Sequence, residues 1–223
     1  MKAVIFDFDG TIADTLEAIQ ESVNATMALY GYPSHSLADI RSFINNGARE
    51  LVRRAMPKQL QIDEALLDRV YADYHREYGK TYLHTKVAYE GIPELIRELH
   101  DAGVRIGVLS NKQHEYVVNL SRQVLFDGSF DAAQGVVPNQ PTKPHPYLSE
   151  LTASRLGATP AECVMVGDSD VDILTAKNAG MTHVGVSWGY RDEETLRQNG
   201  ASLIAHTPDE LKKILNDLIK KGL

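Results

Sequence analysis

Four short stretches of this 223-residue chain hold side chains whose types and spacing could do chemistry together. Asp7 and Asp9 stand two apart directly after the apolar run Val4-Ile5-Phe6, with Gly10 and Thr11 behind them. Ser110 and Asn111 follow a second strand-like run, Val104 to Leu109, apolar but for Arg105. Lys143 lies in the loop Thr142-Lys143-Pro144, and Gly167-Asp168-Ser169-Asp170-Val171-Asp172 follows the run from Cys163 to Val166. Residues two apart in an extended segment point to one side, so Asp7 and Asp9 would present their carboxylates together. Carboxylates crowded at one edge repel unless a cation sits among them. A hard divalent ion with oxygen ligands, Mg2+ by preference, fits that need. Each stretch alone has a plainer reading: a turn with capping carboxylates, a solvated lysine, a helix N-cap. Their joint placement after apolar runs is what points to a site.

The elements that must position them follow from periodicity. Val4 to Phe6 reads as a short buried strand. Asp14 then reads as an N-cap with Glu17 as its capping-box partner, opening a helix through Leu16, Ile19, Val23 and Met27 that stops at Gly31-Tyr32-Pro33. A second helix covers about 48 to 56, and a third carries Leu67, Tyr71, Tyr74 and Tyr78 on one face and ends near Gly79. These tyrosines read as core of the helical segment rather than as a binding box. From there the pattern alternates: a helix from Pro93 to Gly103, strand 104–109, helix 113–125, strand 134–137, helix 146–156, strand 163–166, helix 170–179 and strand 183–186. Thr207 opens a last helix carrying Leu211, Ile214, Leu215 and Leu218. Strands alternating with helices imply right-handed βαβ units and a parallel sheet. The expected architecture is an α/β core, residues 1–14 and 83–223, interrupted after its first strand by a helical insertion, 15–82, joined through crossings near Asp14 and between His84 and Tyr89. In such sheets ligands bind at the carboxyl ends of the strands, where all four stretches fall.

Composition narrows the partners. The chain is 43% hydrophobic and 24% charged, as expected of a globular domain and not of a disordered one. At this length roughly 72% of the chain's surface can be buried on folding, so a sizeable core is available. The net charge of −7 argues against a nucleic-acid groove or an anionic membrane as the main partner. The single Cys163 forbids an intrachain disulfide and reads as a buried, inert thiol. Met1 to Phe6 is too short a run before Asp7 for a secretory signal, no run approaches a membrane span, and the expected compartment is the cytoplasm. The sequons at Asn24 and Asn119 then read as chance, and the histidines show no metal-ligand spacing.

Taken in order, Asp7-Phe8-Asp9-Gly10-Thr11, Ser110-Asn111, Lys143-Pro144 and Gly167-Asp168-Ser169-Asp170-Val171-Asp172 resemble the four motifs of the haloacid dehalogenase superfamily. The resemblance spans nearly the whole chain. Within the superfamily it is strongest to the phosphoglycolate phosphatases with an α-helical cap, to which the stretch from Asn46 to Arg54 is similar. His145 is a departure, since Lys-Pro-Asp-Pro is the more usual wording. The resemblance implies a Rossmann-like core with an inserted cap, and a Mg2+-dependent hydrolase of a small phosphorylated metabolite. It further implies Asp7 as nucleophile and Asp9 as general acid and base. Lys143 neutralises charge, while Thr11, Ser110 and Asn111 with local amides bind phosphoryl oxygens. The metal falls to the Asp7 carboxylate, the Asp9 carbonyl and Asp168, with Asp172 in the outer shell. Arg49, near the start of a helix, is a candidate for a second anionic group on the substrate. Monomer and homodimer both remain open.

Other readings compete. Gly185-Val186-Ser187-Trp188-Gly189 fits the nucleophile elbow of the α/β-hydrolases, with Asp192 and His206 following in order, yet Gly189 to Asp192 reads as a loop where the elbow needs a helix. Gly79-Lys80-Thr81 is no nucleotide-binding loop, because Tyr74 stands where its first glycine belongs. A phosphosugar mutase or a pyrophosphatase could use the same core. A phospho-accepting signalling domain would carry its acceptor later in the chain and lack the insertion.

Overall fold

The computed structural model describes residues 1–84, 88–124 and 130–221. In chain order the elements are β1 (Ala3–Phe6), α1 (Leu16–Leu29), α2 (Leu37–Phe43), α3 (Ala48–Ala55), α4 (Glu64–Thr81), α5 (Ile92–Asp101), β2 (Arg105–Gln113), α6 (His114–Val124) and β3 (Ala132–Val136). Then come α7 (Tyr147–Arg155), β4 (Cys163–Gly167), α8 (Asp170–Ala179), β5 (Thr182–Val186), α9 (Glu193–Gln198), β6 (Ile204–Ala205) and α10 (Pro208–Lys220). The chain divides into two compact units, one of Met1–Asp14 with Val87–Leu223 and the other Thr15–Lys86. Residues 85–87 of the second expected crossing, and residue 125 at the end of the expected helix 113–125, lie outside the described residues.

The first unit is a six-stranded parallel sheet in the order β3-β2-β1-β4-β5-β6, the Rossmann-like α/β architecture expected. Phe6 of β1 lies opposite Val108 on one side and Val166 on the other. All four residues of β1 are fully buried. That is why the central strands read as continuous apolar runs without alternation: helices cover both faces. On one face Ile5, Leu109 and Met165 pack with Leu148 and Leu156. Gly107 in β2 is the point of closest approach there. A Cβ on it would stand 2.9 Å from Leu156 Cδ1 and 3.2 Å from Thr152 Cγ2.

The second unit is helical. Ile19, Val23 and Met27 of α1 and Leu67, Val70, Tyr74 and Tyr78 of α4 are buried, and α1 packs on α4. Ser22 and Thr81 join hydroxyls between those two helices at 2.5 Å.

Several boundaries differ from the sequence reading. Asp14 is not the N-cap of α1; that position is Thr15, without a side-chain cap, and Asp14 instead accepts a hydrogen bond from Tyr190 Oη at 3.3 Å. The short α2 was not expected, although Ser36 and Asp39 form a full capping box at its start. Helix α4 runs through Gly79 to Thr81, because its buried face outweighs the roughly 1 kcal/mol a helical glycine costs. Strand β2 extends past Leu109 to Gln113, so Ser110 and Asn111 lie within it, at a shift in its register against β3. Helix α9 and the two-residue β6 are too short to carry a period.

Replacing Gly107 with Val should overpack the contact with α7 at a cost of about 1–3 kcal/mol. At roughly 2–4 °C per kcal/mol for a chain of this size, calorimetry should show a clear fall in the melting temperature.

Candidate active site

The strand order reverses between β1 and β4, and at that switch point of a parallel sheet a crevice opens beyond the strand ends. Asp7 is the first residue past β1, and its amide still donates to Val166 O at 2.8 Å, so the sheet itself sets the position of its carboxylate. The chain then turns at Gly10, with φ +82°. A Cβ there would stand 2.5 Å from Asp168 Oδ2 and 2.8 Å from the Tyr190 ring. Only glycine lets the two strand ends come this close.

Beyond β4, Asp168 is fully buried. It accepts hydrogen bonds from Thr11 Oγ1 at 3.2 Å and from the Tyr190 amide at 2.7 Å. Ser169 caps α8, and Asp172 closes the capping box: its Oδ2 accepts from the Ser169 hydroxyl at 2.6 Å and amide at 3.2 Å. This box turns the other oxygen of Asp172 toward Lys143. Asp170, in contrast, is only in loose contact with Arg191, at 3.8 Å.

Lys143 is itself buried, with its ammonium 2.9 Å from Asp7 Oδ1 and 2.7 Å from Asp172 Oδ1, and it donates to Leu109 O at 3.2 Å. Asn111 clamps the loop that carries it. The Asn111 side-chain amide donates to Lys143 O at 3.0 Å, while its Oδ1 accepts from the Lys143 amide at 2.9 Å. A second lysine, Lys112, holds Asp9: Nζ to Oδ1 is 2.6 Å, and the lysine side chain is 7% exposed. The other Asp9 oxygen accepts from Ser110 Oγ at 3.3 Å.

Burial first, and the neighbouring Asp172 next, raise the Asp7 carboxyl well above the usual carboxylate range, although Lys143 pulls it down. Asp168 is pushed up to about 7 by burial and by Asp172, against the pull of the Tyr190 amide, Lys143 and Thr11. For Lys143, burial works toward neutrality, but Asp172 and Asp7 outweigh it and keep the ammonium charged. Asp7, Asp168 and Asp172 each offer an oxygen within 4.8 Å of the others. Asp7 Oδ1 is buried against the Lys143 ammonium at 2.9 Å. Three buried carboxylates crowded this closely, with a single ammonium between two of them, are a fit for a divalent cation.

The geometry brings Asp7, Asp9, Thr11, Ser110, Asn111, Lys143, Asp168 and Asp172 of the sequence reading into one connected network. Within it, the Thr11 hydroxyl is directed at Asp168, and the Asn111 side chain serves the Lys143 loop. Arg49 belongs to the second unit, where its guanidinium bonds Glu64 at 2.7 Å and Asp68 at 2.6 Å. Two contributors escaped the sequence reading. Lys112 could have been found as the next polar residue after Ser110-Asn111. Tyr190 acts through its backbone amide, which leaves no trace in residue type. The elbow pattern dissolves: Ser187 Oγ and His206 Nδ1 are 2.9 Å apart, but the Ser187 amide is used on Ala205 O, and Asp192 caps α9 by accepting from the Thr195 amide.

Residues 4–186 match the family model described as haloacid dehalogenase-like hydrolase. The chain belongs to that family. Among relatives of this haloacid dehalogenase-like hydrolase, a phosphoglycolate phosphatase of Psychrobacter arcticus is 30% identical over 200 residues, covering 87% of each chain. Another of that name, from Vibrio vulnificus, is 28% identical over 223 residues, covering 97% of this chain and 95% of its own. A solved structure described as a predicted phosphoglycolate phosphatase from Haemophilus somnus superposes with a TM-score of 0.88 at 26% identity, over 96% of this chain and 98% of that one. The hydrolase is thus surrounded by phosphatases, as its motifs imply. Among its described residues, no helix is long and apolar enough to cross a membrane.

The raised Asp168 carboxyl has a consequence for stability. A carboxyl whose folded pKa exceeds its unfolded value of about 4 favours the folded state while protonated. That contribution is whole below about pH 4 and is lost as pH rises through about 7. A divalent cation offsets the charged form. The melting temperature of the metal-free enzyme should therefore fall between about pH 5.5 and about pH 8, and added Mg2+ should raise it more at the higher pH. At a hundredfold excess over Kd the gain is about 2.7 kcal/mol. Asp168→Asn should flatten both effects in a thermal-shift assay.

Proposed function

We propose that this hydrolase is a Mg2+-dependent phosphomonoesterase that acts through an aspartyl-phosphate on Asp7, with 2-phosphoglycolate as the leading substrate. The observation that carries the reading is the Asp7 carboxylate: buried at the strand-order switch point, paired with Lys143 at 2.9 Å, and within 4.8 Å of oxygens of Asp168 and Asp172. The phosphoglycolate phosphatase names of relatives that match over most of the chain support the substrate.

Asp7 attacks phosphorus and forms the acyl phosphate, which splits one difficult hydrolysis into two displacements. Asp9 protonates the departing alkoxide and in the second step takes a proton from the attacking water. Lys143, charged and fixed, offsets negative charge on Asp7 and on the phosphoryl oxygens, which matters because phosphoryl transfer depends mainly on positioning and electrostatics. Ser110 and nearby amides receive the remaining phosphoryl oxygens. Asp7, the Asp9 carbonyl and Asp168 would hold Mg2+, and Asp172, with both oxygens already engaged by Lys143 and Ser169, would support it from outside. When bound, the ion supplies charge compensation for the phosphoryl group. Arg49 is assigned no part, because Glu64 and Asp68 engage its guanidinium.

Asp7→Asn should lower kcat by at least about a thousandfold, roughly 4 kcal/mol of barrier, with the fold intact by circular dichroism. Activity within about tenfold of wild type would exclude Asp7 as the nucleophile. Asp9→Asn should retain Mg2+ binding in calorimetric titration while losing turnover, since its ligand is the backbone carbonyl. Asp168→Ala should weaken Mg2+ binding itself, and the opposite ranking would exchange the two roles.

A further inference from the structure

We infer that Lys112 is a specificity-determining residue of this site, binding a second anionic group that the substrate carries beside its phosphate ester. This rests on the phosphomonoesterase reading above and extends it to the organic half of the substrate.

The Lys112 head group is pinned from several sides. Its ammonium is 2.6 Å from Asp9 Oδ1 and 5.7 Å from the centroid of the buried Phe8 ring, and its backbone amide donates to Ser110 Oγ at 3.2 Å. At 7% exposure its side chain is a built part of the crevice and not a solvated surface group. The two lysines of the site also divide their carboxylates. Lys143 spans Asp7 and Asp172, on the side of the attacking oxygen. Lys112 attends Asp9, the group that serves the ester oxygen. In an in-line displacement those oxygens lie on opposite sides of phosphorus, so Lys112 stands with the leaving alcohol.

Charge and reach then specify that alcohol. Asp7, Asp9, Asp168 and Asp172 outnumber Lys112 and Lys143 by two, so a substrate carrying a carboxylate beside Asp9 needs a cation between the two anions. An ammonium has three N–H donors and can bridge two carboxylates, as Lys143 does here. With Asp9 about 3 Å from the ester oxygen in working geometry, Lys112 Nζ lies roughly 5–6 Å from that oxygen. A carboxylate carbon two bonds from the ester oxygen fits this span. A carboxylate at the far end of a longer chain does not.

The test is kcat/KM for wild type, Lys112→Met and Lys112→Arg on 2-phosphoglycolate and ethyl phosphate, which share a two-carbon chain and differ in the carboxylate. Wild type should favour 2-phosphoglycolate by about tenfold or more, the usual scale of a charge-assisted contact. Lys112→Met should erase most of that preference through KM, and Lys112→Arg should restore part of it. Equal losses on both esters in Lys112→Met would confine Lys112 to Asp9 and overturn the inference. Should Lys112→Met fail to fold, Lys112→Gln takes its place in the same comparison: loss of the preference for 2-phosphoglycolate supports the inference, and equal losses on both esters overturn it. Turnover of p-nitrophenyl phosphate that Asp7→Asn abolishes keeps the phosphomonoesterase reading standing in either case. A wild type that hydrolyses no phosphomonoester would refute both.

Discussion

Like charge held out of water is the constraint on which the rest of the first unit depends. Asp7, Asp168 and Asp172 converge within a few ångströms, in a crevice where burial raises the cost of ionising Asp7 and Asp168. Lys143 is the fixed compensation, and it is held as firmly as the acids it serves: Asn111 ties both the amide and the carbonyl of its backbone to β2. The cluster thus joins β1, β2, β4 and the Lys143 loop through charge as well as through the sheet ladder. A buried ion pair of this kind is weak support for stability, because desolvation cancels much of the attraction. Its retention makes physical sense as a site kept charged for a task.

Close approach of backbones is the second requirement, and it follows from the first. Gly10 turns with φ +82° where any Cβ would meet Asp168 and Tyr190. Gly167 would run into the Asp172 side chain, and Gly189 into Gly10 O. These three glycines let loops from β1, β4 and β5 close over Asp168, and the Tyr190 amide completes its hydrogen bonding from the third loop. Trp188 adds a bond from its indole N–H to Thr11 O at 3.2 Å.

The sheet was legible because its central strands are buried on both faces: Val4 to Phe6, Val104 to Leu109 and Cys163 to Val166 could hardly be anything else. Acids and a lysine placed after such runs announced the crevice before any coordinates. What escaped did so for identifiable reasons. Asp14 looked like a cap because acid, spacing and helix all agreed, but a long-range bond from Tyr190 claimed it. The local capping box at Ser36 and Asp39 is a real signal, but the helix it opens is one of seven residues, too short to show a period. Nothing next to Asn111 in the sequence signals that its side chain ties down a loop 32 residues away. Lys112 is the sharpest case: its identity as a lysine says surface, and only the fold turns it inward.

The position of β1 in the sheet bears on how the protein comes into being. The strand that delivers Asp7 is flanked in the sheet by Arg105–Gln113 and Cys163–Gly167, both distant from it in sequence. Its edges stay unsatisfied until those distant segments arrive, and pairings so far apart in sequence are slow to close. Helices α1 to α4, whose partners are near in sequence, face no such wait. During folding the protein therefore carries a fully apolar strand that waits for its partners. Asp7 and Asp9, set directly after that strand, are the charges that discourage it from pairing with a second chain in the interval.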